Sequence, residues 1–337
     1  MVAAAVATAA VFACQPHPGL GSIALRRLGA LHIIDLATCR DRITHPPNQR
    51  EVRFGPGGRV LLARFEGPRV SPHGTWKAEV RATGKGKTAK ETIWLRARRG
   101  GRAHAVFSEP EYYKTIGPGE TPGPIMLVGW SGDDRWLFFS IDPGGSGSMA
   151  DDGLTLRVVS VHGGRVSRIA RMLLYRDYLS WCGGHLVLTG GNDGIATNGK
   201  RLLIADPPNW RPRPLVAAPE RVWGSLTCAP NGRSLVAQSQ RESTNATFFA
   251  TKWALWQVGL DGSQTRLTTP RRGFADESPR FSRNGRTLVF VRSRKGIGRL
   301  FGLRGRQLFG PVLSLGYNLG FYGHKDWWLN AEWSAGR

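Results

Sequence analysis

Acidic residues are scarce in this sequence. Asp and Glu number 24 against 47 Lys and Arg in 337 residues, a formal net charge of +23. Such a balance suits polyanions such as nucleic acid, anionic headgroups or acidic envelope polymers. Lysine is scarce too, so the excess is almost all arginine, a bias that a GC-rich genome also produces. No apolar run reaches the roughly 20 residues a membrane-spanning helix needs. No stretch carries a sustained apolar stripe at helical spacing, which excludes a helical bundle. Enzyme signatures are missing as well. Gly144-Gly145-Ser146-Gly147-Ser148 fails the nucleophile-elbow pattern at its last position, and no H-E-x-x-H or phosphate-binding glycine loop occurs. Cys182-Gly183-Gly184-His185 has no second half to make a zinc site, and Asp142, Asp151 and Asp152 match no calcium-loop spacing. Neither a metal nor a cofactor is expected.

What the sequence does have is a repeated phrase. Ser278-Pro279-Arg280-Phe281-Ser282-Arg283-Asn284-Gly285-Arg286 leads into the apolar run Thr287 to Val291. Weaker copies run from Thr227 to Ala237 and from Trp130 to Phe139. Taking the residue before each turn as an anchor gives Val70, Trp130, Trp181, Thr227, Phe281 and Trp333, a loose period of about 50 residues. A further turn, Phe54 to Arg59, precedes Val70 closely and is expected to open the first full unit, with Val70 in an irregular continuation.

Each period reads as two hairpins. Asn284-Gly285 and Asp261-Gly262 sit between β-branched or aromatic runs, the strongest short hairpin signal, because both turn residues need positive φ. Two hairpins make a four-stranded antiparallel blade. A blade cannot bury both faces alone, so blades stack radially into a ring. The expected fold is all-β: a six-bladed propeller, closed by a blade to which the N-terminal segment gives an outer hairpin and Ala331-Glu332-Trp333 an inner strand.

The phrase resembles the W-S-P-D-G-type turn of TolB-like β-propellers, over roughly residues 20–337. Several copies have lost Pro or Asp, and the third reads Trp181-Cys182-Gly183-Gly184. The resemblance implies six blades, a place usually outside the bacterial cytoplasm, and usually a binding or scaffold role. It implies no catalytic site. Residues 20–337 are expected to be one domain and a monomer, with residues 1–19 a leader or tail. Met1 to Ala13 fits the apolar part of an export signal or a frayed tail. Val11-Phe12-Ala13-Cys14 resembles a lipoprotein cleavage site with an atypical Phe12, so Cys14 is a candidate lipid anchor; otherwise it could pair with Cys39. Cys182 and Cys228 follow consecutive anchors, and either bridge two blades or fill a tight inner layer.

The links between blades are long and aromatic, and sites on scaffolds gather in such loops. The ligand-binding candidates are Glu111, Tyr112, Tyr113, Asp177, Tyr178, Trp223, Tyr322 and His324. They lie where acidic and aromatic side chains are expected to gather on one face of a basic body. That pattern suits a protein or envelope ligand; the same residues read structurally are core aromatics and turn-capping carboxylates. An enzyme, either a lyase or a hydrolase, would need a His beside a carboxylate, for which His324 with Asp177 or Asp276 is the available constellation. A third reading is an Arg-rich polyanion binder. The run Arg81, Lys85, Lys87 and Lys90 reads as a solvated loop between two strands.

Overall fold

The computed structural model describes residues 13–27, 29–45, 50–54, 60–64, 69–84, 90–108, 125–142, 153–191, 194–243, 252–329 and 331–334, with 50–54 and 60–64 described by backbone alone. They form six blades, numbered here I to VI. Blade III is Ile125–Trp130, Trp136–Ile141, Leu154–Ser160 and Ser167–Met172, and blade IV is Leu179–Cys182, His185–Gly190, Arg201–Ala205 and Arg213–Pro214. Blade V is Arg221–Cys228, Ser234–Arg241, Ala254–Gly259 and Gln264–Arg266, and blade VI is Ala275–Phe281, Thr287–Arg294, Ile297–Arg304 and Gln307–Tyr317. Blade II has three full strands, Trp76–Thr83, Lys90–Ala97 and His104–Ser108, and its innermost strand is reduced to one bridge, Val70 to Lys77. Blade I joins the C-terminal Ala331–Trp333 to Ser22–Arg27, Ala30–Asp35 and Asp41–Thr44.

All six anchors lie in innermost positions. Val70 pairs with Lys77, Trp130 with Leu137, Trp181 with Leu186, Thr227 with Val236, Phe281 with Leu288 and Trp333 with Ile23. The Phe54 turn was misread. Arg50–Phe54 and Val60–Arg64 form a separate two-stranded hairpin, and Val70 is itself the anchor of blade II. The N-terminal segment also gives blade I three strands rather than a hairpin.

The serine of the phrase explains its recurrence. In blade VI the Ser282 hydroxyl accepts from Thr287 N at 3.0 Å, while Ser282 N donates to Thr287 O at 2.7 Å. Ser131 with Trp136 and Ser71 with Trp76 repeat the arrangement. One side chain thus satisfies the backbone donor that the tight turn would leave open. Middle strands are buried on both faces because each blade is sandwiched, so they read as unbroken apolar runs: Leu137-Phe138-Phe139, Leu186-Val187-Leu188, Val289-Phe290-Val291. Apolar clusters fill the interfaces from II–III round to VI–I, the last including Trp327, Trp328 and Trp333.

Both cysteine pairs are bridged. Cys182 and Cys228 join the inner strands of blades IV and V, with Cα atoms 5.5 Å apart. The turns there approach so closely that a Cβ at Gly183 (φ 57°) would run into the Gly232 carbonyl. Cys14 is joined to Cys39, Cα atoms 5.7 Å apart, and this corrects the lipid-anchor reading, since the thiol is already used. Residues 13–17 are part of the propeller rather than of the tail. Gln15 N donates to Val312 O, Ser314 N to Ala13 O and His17 N to Leu36 O. The segment covers the edge of blade VI and is tied covalently to blade I, a latch over the seam where the ring closes.

In the chain-entropy model a bridge across a loop of this length stabilises by about 3 kcal/mol. The Cys14→Ser/Cys39→Ser variant should therefore fold but melt several degrees lower in calorimetry. An unchanged melting temperature would show that the latch contributes nothing.

Candidate functional site

The link from blade VI to blade I, described over residues 318–329, does not stay on its own side of the ring. The Tyr322 carbonyl accepts from Ala196 N in blade IV, at 2.9 Å. His324 stacks on Tyr175 in the III–IV link, ring centroids 3.8 Å apart, and meets Tyr178 edge-on at 5.0 Å. Blade IV lies opposite blade I in a six-membered ring, so this link crosses the channel and caps its mouth.

The link is held by one buried cluster. Lys325 Nζ lies 2.7 Å from Glu277 Oε1, and both side chains are 2% exposed. The Ser293 hydroxyl and the Trp327 indole N–H donate to Glu277 Oε2 at 2.8 and 2.9 Å. Trp328 Nε1 donates to the Ser278 carbonyl at 2.8 Å, and Arg280 lies 4.4 Å over the Trp328 ring. Ser278 opens the phrase and Glu277 immediately precedes it. Ser278 takes a positive φ of 51°, and the register with the next strand slips between Glu277 and Arg280. This bulge aims the Glu277 carboxylate at the link. Burial works against its ionisation, but the Lys325 charge and the hydrogen bonds hold it below the usual glutamate range.

Beside this cluster His324 Nε2 lies 3.4 Å from Asp177 Oδ1, longer than a good hydrogen bond. The Ser225 hydroxyl donates to the other oxygen of Asp177 at 2.5 Å. Among the described residues both ring nitrogens of His324 and Oδ1 of Asp177 lack hydrogen-bond partners. Burial pushes the His324 imidazole down to about 4 and the Asp177 carboxyl up to about 6. Burial, with the Asp177 charge nearby, also raises Asp326. At neutral pH His324 is therefore an uncharged, weakly basic ring.

A cleft of about 500 Å³ opens beside the cap, lined by Arg26, Arg27, Tyr175, Tyr317, Phe321, His324, Asp326 and Leu329 among others. The sequence candidates divide around it. His324 and Asp177 come together; Tyr322 is exposed on the cap, edge-on to Phe321. Tyr178 is buried beneath His324 and presents no surface. Trp223 is 1% exposed, packed in the core between blades IV and V, because the start of that inner strand is sandwiched on both faces. Asp276 is not a partner of His324: the Arg292 guanidinium grips both its oxygens, at 2.7 and 2.9 Å. Glu111, Tyr112 and Tyr113 lie outside the described residues. Sequence reasoning passed over Ser225 and the Arg26–Arg27 pair. Ring closure alone brings the latter beside the cleft, so no local signal marks them.

The strand order and six anchor pairings decide the architecture. The fold is a six-bladed β-propeller. No family model matches this propeller's sequence, and no curated protein does. Among solved structures it is similar to TolB from Acinetobacter baumannii, with 16% identity and a TM-score of 0.42, covering 89% of this chain and 64% of that one. It therefore spans less than two thirds of that protein. A TolB-designated protein from Agrobacterium tumefaciens is 15% identical with a TM-score of 0.44, covering 87% of this chain and 90% of that one. An oligogalacturonate lyase in complex with manganese is 14% identical with a TM-score of 0.40, covering 82% and 72%. At this distance the likeness is one of fold.

Two outcomes follow from the buried groups. Lys325→Met strands a buried carboxylate and should cost about 3–5 kcal/mol, whereas Glu277→Leu/Lys325→Met should cost much less; urea titrations of the two variants give the comparison. His324 has a depressed pKa, so its contribution to stability falls as pH drops from 6.5 toward 4. Asp177 has a raised pKa, so its contribution falls as pH rises from 3.8 toward 6. The two slopes oppose each other in nearly the same window. Relative to wild type, His324→Gln should gain stability as pH falls from 6.5 to 4, by roughly 3 kcal/mol at most. A pH-independent difference in chemical-denaturation midpoints would refute the assignment.

Proposed function

We propose that this propeller is an exported, non-catalytic binding protein that seats an extended segment of a partner protein against the capped mouth. One observation carries the reading. Tyr317 (64%), at the end of blade VI, and the cap residues Leu319, Phe321 and Leu329 (73%) are exposed around the cleft, with Tyr322 exposed beside Phe321. Exposed apolar side chains gathered round a concavity mark interaction surfaces on soluble proteins. Aromatic rings supply contact area at low entropic cost, and the polar atoms of Asn318, Asp326 and Arg27 would orient a bound backbone. The two disulfides support a place in an oxidising compartment. Among the described residues no helix is long and apolar enough to cross a membrane.

The adjacency of His324 and Asp177 favours a second reading, an enzyme of the lyase or hydrolase kind. It weighs less. A general base works best with a pKa near the operating pH, and an imidazole held at about 4 is poorly matched to that task. At 2% exposure the ring is also packed between Tyr175 and Tyr178.

Peptides selected by phage display against the wild type should bind Tyr317→Ala/Phe321→Ala/Leu329→Ala at least about tenfold more weakly in isothermal titration. Equal affinity for both proteins would sink the binding site. Cleavage of a peptide or glycoside library that disappears in His324→Gln would replace it with the enzyme reading.

A further inference from the structure

A second concavity lies in the crevice between blades V and VI. Its origin is geometric. The outermost strand of blade V, Gln264–Arg266, is three residues long, whereas the strands facing it in blade VI, Thr287–Arg294 and Ile297–Arg304, are eight residues each. The apolar interface that begins with Val236, Leu255 and Phe290 therefore runs outward past the end of its cover. Beyond that end it opens as a groove of about 510 Å³, continuous with a recess of about 210 Å³ through Phe274, Arg292, Arg299 and Phe301.

The chemistry of the groove is unusual for an uncovered edge. Strand alternation places Arg292 and Arg294 on one face, and Ile297, Arg299 and Phe301 beside them on the next strand, with Arg292 directly opposite Arg299. Like charges directly across a ladder are destabilising. Asp276 compensates Arg292. Among the described residues Arg271, Arg294, Arg299 and Arg306 have no carboxylate partner, and all four are exposed around the groove. Ile297 and Leu308 are exposed within it. Four uncompensated guanidiniums thus ring an apolar floor.

We propose that this groove binds an acidic protein segment that inserts one apolar side chain between Phe274 and Phe301 and lays carboxylates on Arg271, Arg294, Arg299 and Arg306. Charge complementarity selects an anion, and guanidiniums take carboxylates bidentately. The apolar recess selects a peptide over a nucleic acid. Base binding needs open ring faces for stacking, and here Arg294 lies over Phe274 at 5.2 Å and Arg292 over Phe301 at 4.9 Å. What stays open is a pocket edged by arginine stems and Ile297, the shape an inserted side chain fills. The groove shares no lining residue with the mouth cleft, so it stands or falls separately from the proposed function.

Fluorescence anisotropy of the full-length protein with a labelled peptide carrying one Phe among glutamates tests this. Binding should weaken as salt rises, and weaken at least about tenfold in Arg294→Ala/Arg299→Ala and in Arg271→Ala/Arg306→Ala. Peptides with Gln for Glu, or Ala for Phe, should bind clearly less. Phe321→Ala/Leu329→Ala should leave the affinity unchanged, which separates this groove from the mouth. These arginines are exposed, and matching circular dichroism confirms that their variants fold. The proposal is overturned if the arginine variants bind as wild type does, or if the Gln peptide binds as well. It is also overturned if the mouth variant abolishes binding, or if oligothymidylate binds more tightly than the peptide through the same arginines.

Discussion

The ion pair between Glu277 and Lys325 is the contact on which both the ring and its mouth depend. Burying a carboxylate and an ammonium together is costly, and the pair is tolerated because Ser293 and Trp327 take up the remaining capacity of the carboxylate. In return the pair fixes the middle of the last link. On one side of Lys325 that fixes His324 against Tyr175 and Asp177. On the other, Trp327 and Trp328 lock into blade VI, and a few residues later the chain enters blade I as Ala331–Trp333. Gly298 is part of the same arrangement, since any side chain there would collide with the Trp327 ring.

The closure reuses the repeat rather than adding a new device. In blade VI a serine exchanges two hydrogen bonds with the first residue of the following strand, Ser282 with Thr287. At the seam Ser334 N donates to Ser22 O at 2.9 Å, and Ser22 N donates to the Ser334 hydroxyl at 2.8 Å. The pattern is the same, but its two halves are the opposite ends of the chain. Here the bonds replace a covalent turn. That leaves closure dependent on bringing the termini together, an entropic cost the other turns avoid. The Cys14–Cys39 bridge and the Trp333 indole bond to Leu20 O act at that weak point.

Much of this was legible in the sequence because the governing physics is local. Asn284-Gly285 and the serine before it dictate a turn whatever surrounds them, and six anchors, the last of them at the seam, mark six blades. The aromatic links were legible as a place to look, and His324 beside Asp177 emerged from them. The misreadings have a different origin. Trp223 and Tyr178 have the composition of ligand-binding aromatics, but whether an aromatic faces a channel or a neighbouring blade depends on radial packing, which no short window records. Asp276 was separated from His324 by Arg292, sixteen residues on and fixed by strand register. Arg26 and Arg27 reach the mouth only because the ring closes, and Cys14 lost its lipid-anchor reading only when Cys39 came within reach.

Burial also changes the meaning of the scarce acidic residues. The sequence suggested that carboxylates gather on one face of a basic body. In the structure Asp134, Asp142, Asp276 and Glu277 are buried outright, Asp177 sits beneath the cap and Asp326 is largely buried within it. Several carboxylates that could have neutralised surface arginine are therefore spent inside, holding turns, inner strands and the last link. Among the described residues the resulting imbalance is local. In blade VI Asp276 pairs with Arg292, leaving Arg294 and Arg299 on the same sheet face without a carboxylate partner among the described residues. Compositional bias can supply arginine, but it does not choose which arginines remain unpaired. That choice is made by the strand register, which places Asp276 opposite Arg292 and leaves Arg294 and Arg299 with no carboxylate across the ladder.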